Sequence, residues 1–331
     1  MNILVTGGCG FIGSALIQWI IHHTNHQIIN IDKLTYAANL QILEPLEAHS
    51  RYTFYQGDIG DGTLIEHILH THDVDAVFNL AAESHVDTSI FHSEAFIQTN
   101  IVGTYQLLQG CLGYWYQLGT LRKDTFRFIH ISTDEVFGDL TNHAPAFDEH
   151  SLYKPSSPYS ASKASSDHLV KAWHRTYGLP TIITHCSNNY GEHQHPEKLI
   201  PKMIQRAIAT QSLPIYGTGQ QIRDWLYVGD HINALLTILT QGKVGETYCI
   251  GGSCERSNLQ VVHTICSLLD NIKPENAPHH RLIAHATDRQ GHDHRYAINS
   301  RKIQALGWQP THNFEQDLEQ LILTALSLKQ Q

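Results

Sequence analysis

Short apolar runs recur along the first half of the chain, and each gives way to a longer stretch whose apolar residues return every three or four positions. The runs at 2–6, 27–31, 52–56, 75–80, 126–131 and 181–186 read as strands, most of them apolar enough to be covered on both faces. The stretches near 11–23, 39–48, 61–71, 91–118 and 156–177 read as helices. Alternation of this kind predicts an α/β fold: a Rossmann-type, doubly wound parallel sheet with right-handed crossovers.

The 91–118 segment carries Phe96, Ile97, Ile101, Val102, Tyr105, Leu108, Leu112 and Trp115, more apolar surface than one sheet-facing stripe uses. A second buried face predicts a partner. Together with 156–177 it points to a homodimer joined by a four-helix contact.

Beyond about residue 190 the pattern is irregular and richer in Pro, Gly and polar residues, with short strands at 213–216 and 223–228. A helix at 230–241 and a strand at 246–250 then return to the sheet. We therefore expect a nucleotide-binding domain from 1–187 plus about 229–251, and a smaller, discontinuous α/β substrate domain from 188–228 and 252–331.

Composition narrows the partners. Among 331 residues the formal charge is −9, with Lys and Arg scattered singly, so neither nucleic acid nor a membrane surface is expected. No apolar run reaches transmembrane length and the first strand starts at once, which points to a cytoplasmic protein. Six cysteines without a Cys-x-x-Cys pair read as reduced thiols. The 25 histidines cluster, as at His22, His23 and His26, but no nearby acid or Cys completes a ligand set, so no metal is expected.

Thr6-Gly7-Gly8-Cys9-Gly10-Phe11-Ile12-Gly13 follows the first strand and opens an amphipathic helix, the context a dinucleotide fingerprint requires. Gly7 permits the tight turn, Gly10 lets a pyrophosphate approach the backbone, and Gly13 lets helix and strand pack closely. Asp32 ends the second strand, about 20 residues on, where a carboxylate accepts from ribose hydroxyls and repels a 2′-phosphate. NAD is the expected cofactor, although Lys33 stands beside that acid.

Tyr159 and Lys163 lie one helical turn apart, so that the ammonium can lower the phenol pKa. Thr133 supplies a hydroxyl one strand earlier, and Asp134 and Glu135 follow it directly. Adjacent carboxyls repel, and such pairs are used where one step needs an acid and a base.

The glycine fingerprint, "LAAESHVD", "ISTDEVFGDL", "PSSPYSASKASSDHLV", "NNYG", "PEKLIP", "PIYG", "QIRDWLYV" and "GHDHRYAI" together make the whole chain resemble the dTDP-glucose 4,6-dehydratase family of extended short-chain dehydrogenases. The resemblance implies dTDP-glucose as substrate. It also implies catalytic roles for Thr133, Asp134, Glu135, Tyr159 and Lys163. Around the cofactor it adds Phe11, Ile12, Lys33, Leu34 and Thr35 near the first two strands, and Asp58 and Ile59 after the third. Leu80, Ala81, Ala82 and Ser84 follow the fourth strand, with Thr99 and Asn189 completing the set. For the substrate it implies Ser84, Thr133, Asn188, Lys198 and Leu199, then Pro214, Ile215, Tyr216 and Arg223, and finally Asn258, Asp288, Arg289 and His292.

The chain departs from the family pattern at Thr88, His185, Glu192, Gly229, Gln290 and His294, none of them a catalytic position. Two other readings stay open on sequence alone. A nucleotide-sugar 4-epimerase leaves the acid pair unexplained, and a noncatalytic nucleotide-binding paralogue is permitted by the departures.

Overall fold

A computed structural model describes residues 1–328. Its frame is a seven-stranded, all-parallel sheet made of β1 (Asn2–Thr6), β2 (Gln27–Asp32), β3 (Tyr52–Gln56), β4 (Ala76–Asn79), β5 (Arg127–Thr133), β6 (Thr181–Cys186) and β10 (Thr247–Ile250). The order β10-β6-β5-β4-β1-β2-β3 places the reversal of winding between β1 and β4. Ligands of open parallel sheets bind outside the carboxyl ends of the strands at such a reversal.

One face of the sheet buries Leu16, Ile17 and Ile20 of helix α1 (Phe11–His23) with Leu235 and Ile238 of a later helix, and the other buries Ile65 and Leu69 of α2 (Gly62–Thr71) with Leu107 and Leu108 of α3 (Thr104–Gln117). Strands covered on both sides explain the near-continuous apolar runs. Helix α4 (Pro158–Tyr177) packs beside α3 and opens with a capping box, Ser157 and Ser160 satisfying each other's backbone donors. It ends at Gly178 in the left-handed conformation, φ 78°.

A third core gathers Tyr190, Trp225, Ile204, Val262, Ile265 and Leu318. Around it stand a three-stranded sheet, with β7 (Asn188–Tyr190), β9 (Ile222–Tyr227) and β11 (Glu255–Ser257), and a two-stranded one, with β8 (Leu213–Tyr216) and β12 (Ile283–Ala286). Helices α5 (Leu199–Ile208), α7 (Asn258–Ile272) and α8 (Phe314–Leu328) complete it, while α6 (Val228–Gln241) and β10 return to the main sheet. Ile303 and Trp308 also pack into the main sheet's core, although they come late in the chain. Among the described residues no helix is long and apolar enough to cross a membrane, and all six cysteines are unpaired.

Two expected helices differ. The 39–48 stretch forms only two single turns, Leu40–Ile42 and Glu44–Leu46, because Pro45 lacks the donor a longer helix needs. The 91–118 stretch is not one regular helix: Val86–Phe91 ends at His92, and Ile97–Gly103 is π-helical before α3 begins. Single π-turns often mark functional sites. Here the stretch carries Thr99 and Asn100, and Asn100 Nδ2 donates to Ser162 Oγ of α4 at 2.8 Å.

Candidate functional site

The carboxyl ends of β1, β2, β4 and β5 open onto one cleft of about 290 Å³, walled on its far side by residues 186–198. Gly7 has φ 68°, and a Cβ there would stand 2.7 Å from Ala81 Cα. At Gly13 it would stand 2.4 Å from the Gly7 carbonyl, so helix and strand close only on a glycine. At Gly10 it would meet only that carbonyl, at 3.3 Å, and would otherwise fill the cleft. Gly10 caps α1 without a side-chain acceptor, leaving the first-turn amides to a ligand.

Asp32 is buried at the end of β2, where Cys9 N donates to Oδ2 at 2.9 Å and Leu34 N to Oδ1 at 2.8 Å. Burial nonetheless pushes its pKa up. Lys33 Nζ donates to Thr99 Oγ1 at 2.6 Å and lies 3.6 Å from Asp58, which commits it away from Asp32. These residues fit a dinucleotide with free ribose hydroxyls: an amide cradle, a glycine whose side chain would block it, and a carboxylate beside it.

Every expected cofactor residue lines this cleft except Leu34. Leu34 acts through its backbone, in the left-handed region at φ 60°, to hold Asp32. Glu83 and Glu197 also line the cleft, inside quoted motifs but not singled out there, and Gln194 and His195, between two motifs, carried no sequence signal.

The reacting end is built from α4 and β5. Tyr159 and Lys163 are buried, and Lys163 Nζ donates to the Ile131 carbonyl at 2.7 Å. The expected lowering of the phenol by its lysine is not what governs it. Burial, then the charge of Glu135, pushes Tyr159 well above the ordinary tyrosine range, with Thr133 opposing.

Asp134 and Glu135 start a turn capped by Thr133. Asp134 is 1% exposed, and burial followed by the charges of Glu135 and Asp224 drives its pKa well up. Its Oδ2 is buried without a partner. Glu135 is half-buried and also raised by burial, but Arg289, Arg223 and Lys198 all oppose that rise. Both carboxyls are raised, Asp134 the further, because three cations hold back the rise of Glu135. A third carboxyl, Asp224, which the sequence suggested only as an ion-pair partner for Arg223, is brought up to about 7 by burial against the amides of 252–254.

The expected substrate residues divide. Ser84, Thr133, Asn188 and Lys198 line the cleft; Lys198 Nζ donates to the Ser84 carbonyl at 3.1 Å, and Asn188 Oδ1 is buried without a partner. Arg223 makes no ion pair with Asp224 or any other described acid. It donates to the Ile222 carbonyl at 2.8 Å and the Asp293 carbonyl at 3.0 Å, over the Tyr296 ring. Asp87, missed in the sequence, accepts from both Tyr216 and Arg289 at 3.2 Å, and Asp288 from His292 at 2.6 Å. Leu199, Pro214 and Asn258 lie outside the cleft lining, on α5, β8 and the start of α7, and Tyr216, Arg223, Asp288, Arg289 and His292 do not line it either. Ile215 is 1% exposed in the third core, so its side chain serves packing rather than a ligand.

A glycine-fingerprinted parallel sheet, with Thr133 at the end of β5 and Tyr159 and Lys163 on α4 lining the same cleft, defines an extended short-chain dehydrogenase. The family described as GDP-mannose 4,6-dehydratase matches residues 4–321. The chain is 58% identical over 327 residues to a dTDP-glucose 4,6-dehydratase of Haemophilus influenzae, covering 97% of each. It superimposes on dTDP-glucose 4,6-dehydratases of Streptomyces venezuelae (TM-score 0.90, 38% identity) and Bacillus anthracis (0.88, 40%), both solved with NAD, covering 100% of this chain and 98% of each of theirs. The chain belongs to the dTDP-glucose 4,6-dehydratase family.

Proposed function

We propose that the chain is an NAD-dependent hydro-lyase that dehydrates dTDP-glucose to dTDP-4-keto-6-deoxyglucose, a step of deoxysugar biosynthesis. The observation that carries it is the acid pair Asp134–Glu135 on one cleft with Tyr159. A 4-epimerase needs the tyrosine and lysine but has no use for two adjacent carboxyls at the reacting end.

When bound by the Gly7–Gly13 cradle and Asp32, NAD supplies the chemistry of taking hydride from C4 and returning it at C6, with no net oxidation. Tyr159 takes the proton of the 4-hydroxyl, and Lys163 orients it and supplies positive charge. With C4 a ketone, the C5 hydrogen is acidic. Glu135 removes it while Asp134 gives its proton to the departing 6-hydroxyl, so water leaves across C5 and C6. Glu135 then returns a proton to C5, and through solvent Tyr159 releases the proton it took while Asp134 regains one, which restores both groups.

Arg223, Arg289 and Lys198 supply cationic charge for the diphosphate. We assign residues 1–187 with about 229–251 to NAD, and 188–228 with 252–331 to the sugar nucleotide. We further propose a homodimer in which Ile97, Val102, Tyr105 and Tyr177, all at least 36% exposed on the 97–117 segment and α4, are covered by a second copy. Six unpaired thiols fit a reducing compartment, and we place the enzyme in the cytoplasm.

The test is to treat the reaction mixture with alkali. A 4-keto sugar nucleotide develops strong near-ultraviolet absorbance, an epimerised product gives none, and a binding-only protein leaves the substrate unchanged.

A further inference from the structure

Under the reacting residues lies a buried polar cluster that the chemistry above leaves unused. Asp167 is 0% exposed on α4, one turn beyond Lys163 and two beyond Tyr159, so all three share a helix face. Its Oδ2 accepts from Ser132 Oγ at 2.9 Å, His185 Nε2 at 2.9 Å and Tyr153 Oη at 3.1 Å. On the Oδ1 side, His130 Nε2 stands 3.4 Å away.

The bonding defines which nitrogen of His130 faces the acid. Asn79 Oδ1 accepts from Thr6 Oγ1, so Asn79 Nδ2 is the atom that donates to His130 Nδ1 at 3.0 Å. The ring hydrogen is then on Nε2, which donates to Ser166 Oγ at 3.2 Å and leaves Asp167 Oδ1 buried beside the ring without a hydrogen-bond donor of its own. Burial, then the charge of Lys163, brings His130 down to about 4, which keeps it neutral. Burial raises Asp167, but His185 and His130 outweigh it and hold the carboxyl well below the usual range. Burial lowers Lys163, and the Asp167 charge opposes that fall.

The partners come from different parts of the site. His130 and Ser132 belong to β5, which ends in Thr133 and delivers the acid pair; His185 belongs to β6, which leads to Asn188 and Asn189. An uncompensated buried carboxylate is costly, so the arrangement is held only while these donors converge.

We infer that Asp167 is a positioning residue of the reaction, the joint that keeps Tyr159 and Lys163 on α4 in register with Thr133, Asp134 and Glu135 beyond β5, with His185 tying the same joint to β6. The inference rests on the function proposed above.

The test compares Asp167→Asn, His185→Asn and Tyr153→Phe holoenzymes in steady-state turnover of dTDP-glucose, single-turnover NADH formation and thermal melting. Asp167→Asn is expected to lose on the order of 10²-fold in kcat with KM nearly unchanged, the scale of an ångström's misplacement, and to form NADH more slowly. His185→Asn and Tyr153→Phe each leave two of the three Oδ2 donors and are expected to lose about three- to tenfold in kcat, again without a KM change. An unchanged kcat per folded molecule, with only the melting temperature lowered, would overturn the inference by showing a packing role alone. If Asp167→Asn does not fold, the other two variants decide by the same criterion. A wild-type enzyme that leaves dTDP-glucose unchanged would instead count against the proposed function.

Discussion

Thr133 Oγ1 donates to Asp134 Oδ1 across 3.3 Å, while Oδ2 of the same carboxyl is buried with no partner. A carboxylate so placed is short of donors, and the proton it keeps is the one the elimination spends. Asp134→Asn should therefore lower turnover by about 10²- to 10⁴-fold, the range for losing a general acid. The C4 oxidation should be slowed less, so NADH should accumulate in a single turnover. Equal loss of both steps would contradict the role.

The same burial has a stability consequence. A carboxyl whose folded pKa is raised binds its proton more tightly folded than unfolded, so stability falls as pH rises from the ordinary carboxylate range toward that raised value. Asp134→Asn removes this penalty. The variant should melt a few degrees higher than wild type at neutral pH, and the gain should shrink toward pH 4, measured by calorimetry.

Single-turnover rates of the two steps should part on the alkaline side. Tyr159 acts deprotonated and is raised, so the rate of NADH formation should climb with pH. Asp134 acts protonated, so elimination should fall as pH passes its raised pKa; Glu135 acts ionised and is also raised, so elimination should fall on the acid side too. Stopped-flow absorbance of NADH separates the two steps. A shared, parallel pH profile would contradict these assignments.

With Asp32 buried beside the cradle and Lys33 bound to Thr99 and Asp58, a 2′-phosphate meets a carboxylate and no free ammonium. NADP should bind at least about 10²-fold more weakly than NAD, and Asp32→Gly should narrow the gap. Calorimetric titration of protein freed of cofactor measures both.

Much of the fold could be read from the chain because strands covered on both faces are apolar throughout, and the six strand ranges at 2–186 agree with the structure to within about two residues. The smaller region was less legible. Its strands β7, β11 and β12 are three or four residues long, too short to show a period, although Ser257 with Gln260 gave α7 a capping box that could have been noticed. Site residues carried by motifs were legible when their chemistry is local, as for Tyr159 and Lys163. Asp87 and Asp167 were not, since each acts through residues far along the chain: Arg289 and Tyr216 for one, Ser132 and His185 for the other.

The dimer predicts that a charge on the exposed face should be disruptive. Val102→Glu with Tyr105→Glu should halve the mass in light scattering after gel filtration while leaving the circular dichroism of the fold intact. A wild-type monomer at working concentration would remove the proposal.

The most direct measurement is mass spectrometry of purified protein incubated with dTDP-glucose and, separately, with UDP-glucose. The account predicts that dTDP-glucose loses the mass of one water with NAD recovered in its oxidised form. Unchanged mass, despite bound NAD, would contradict it.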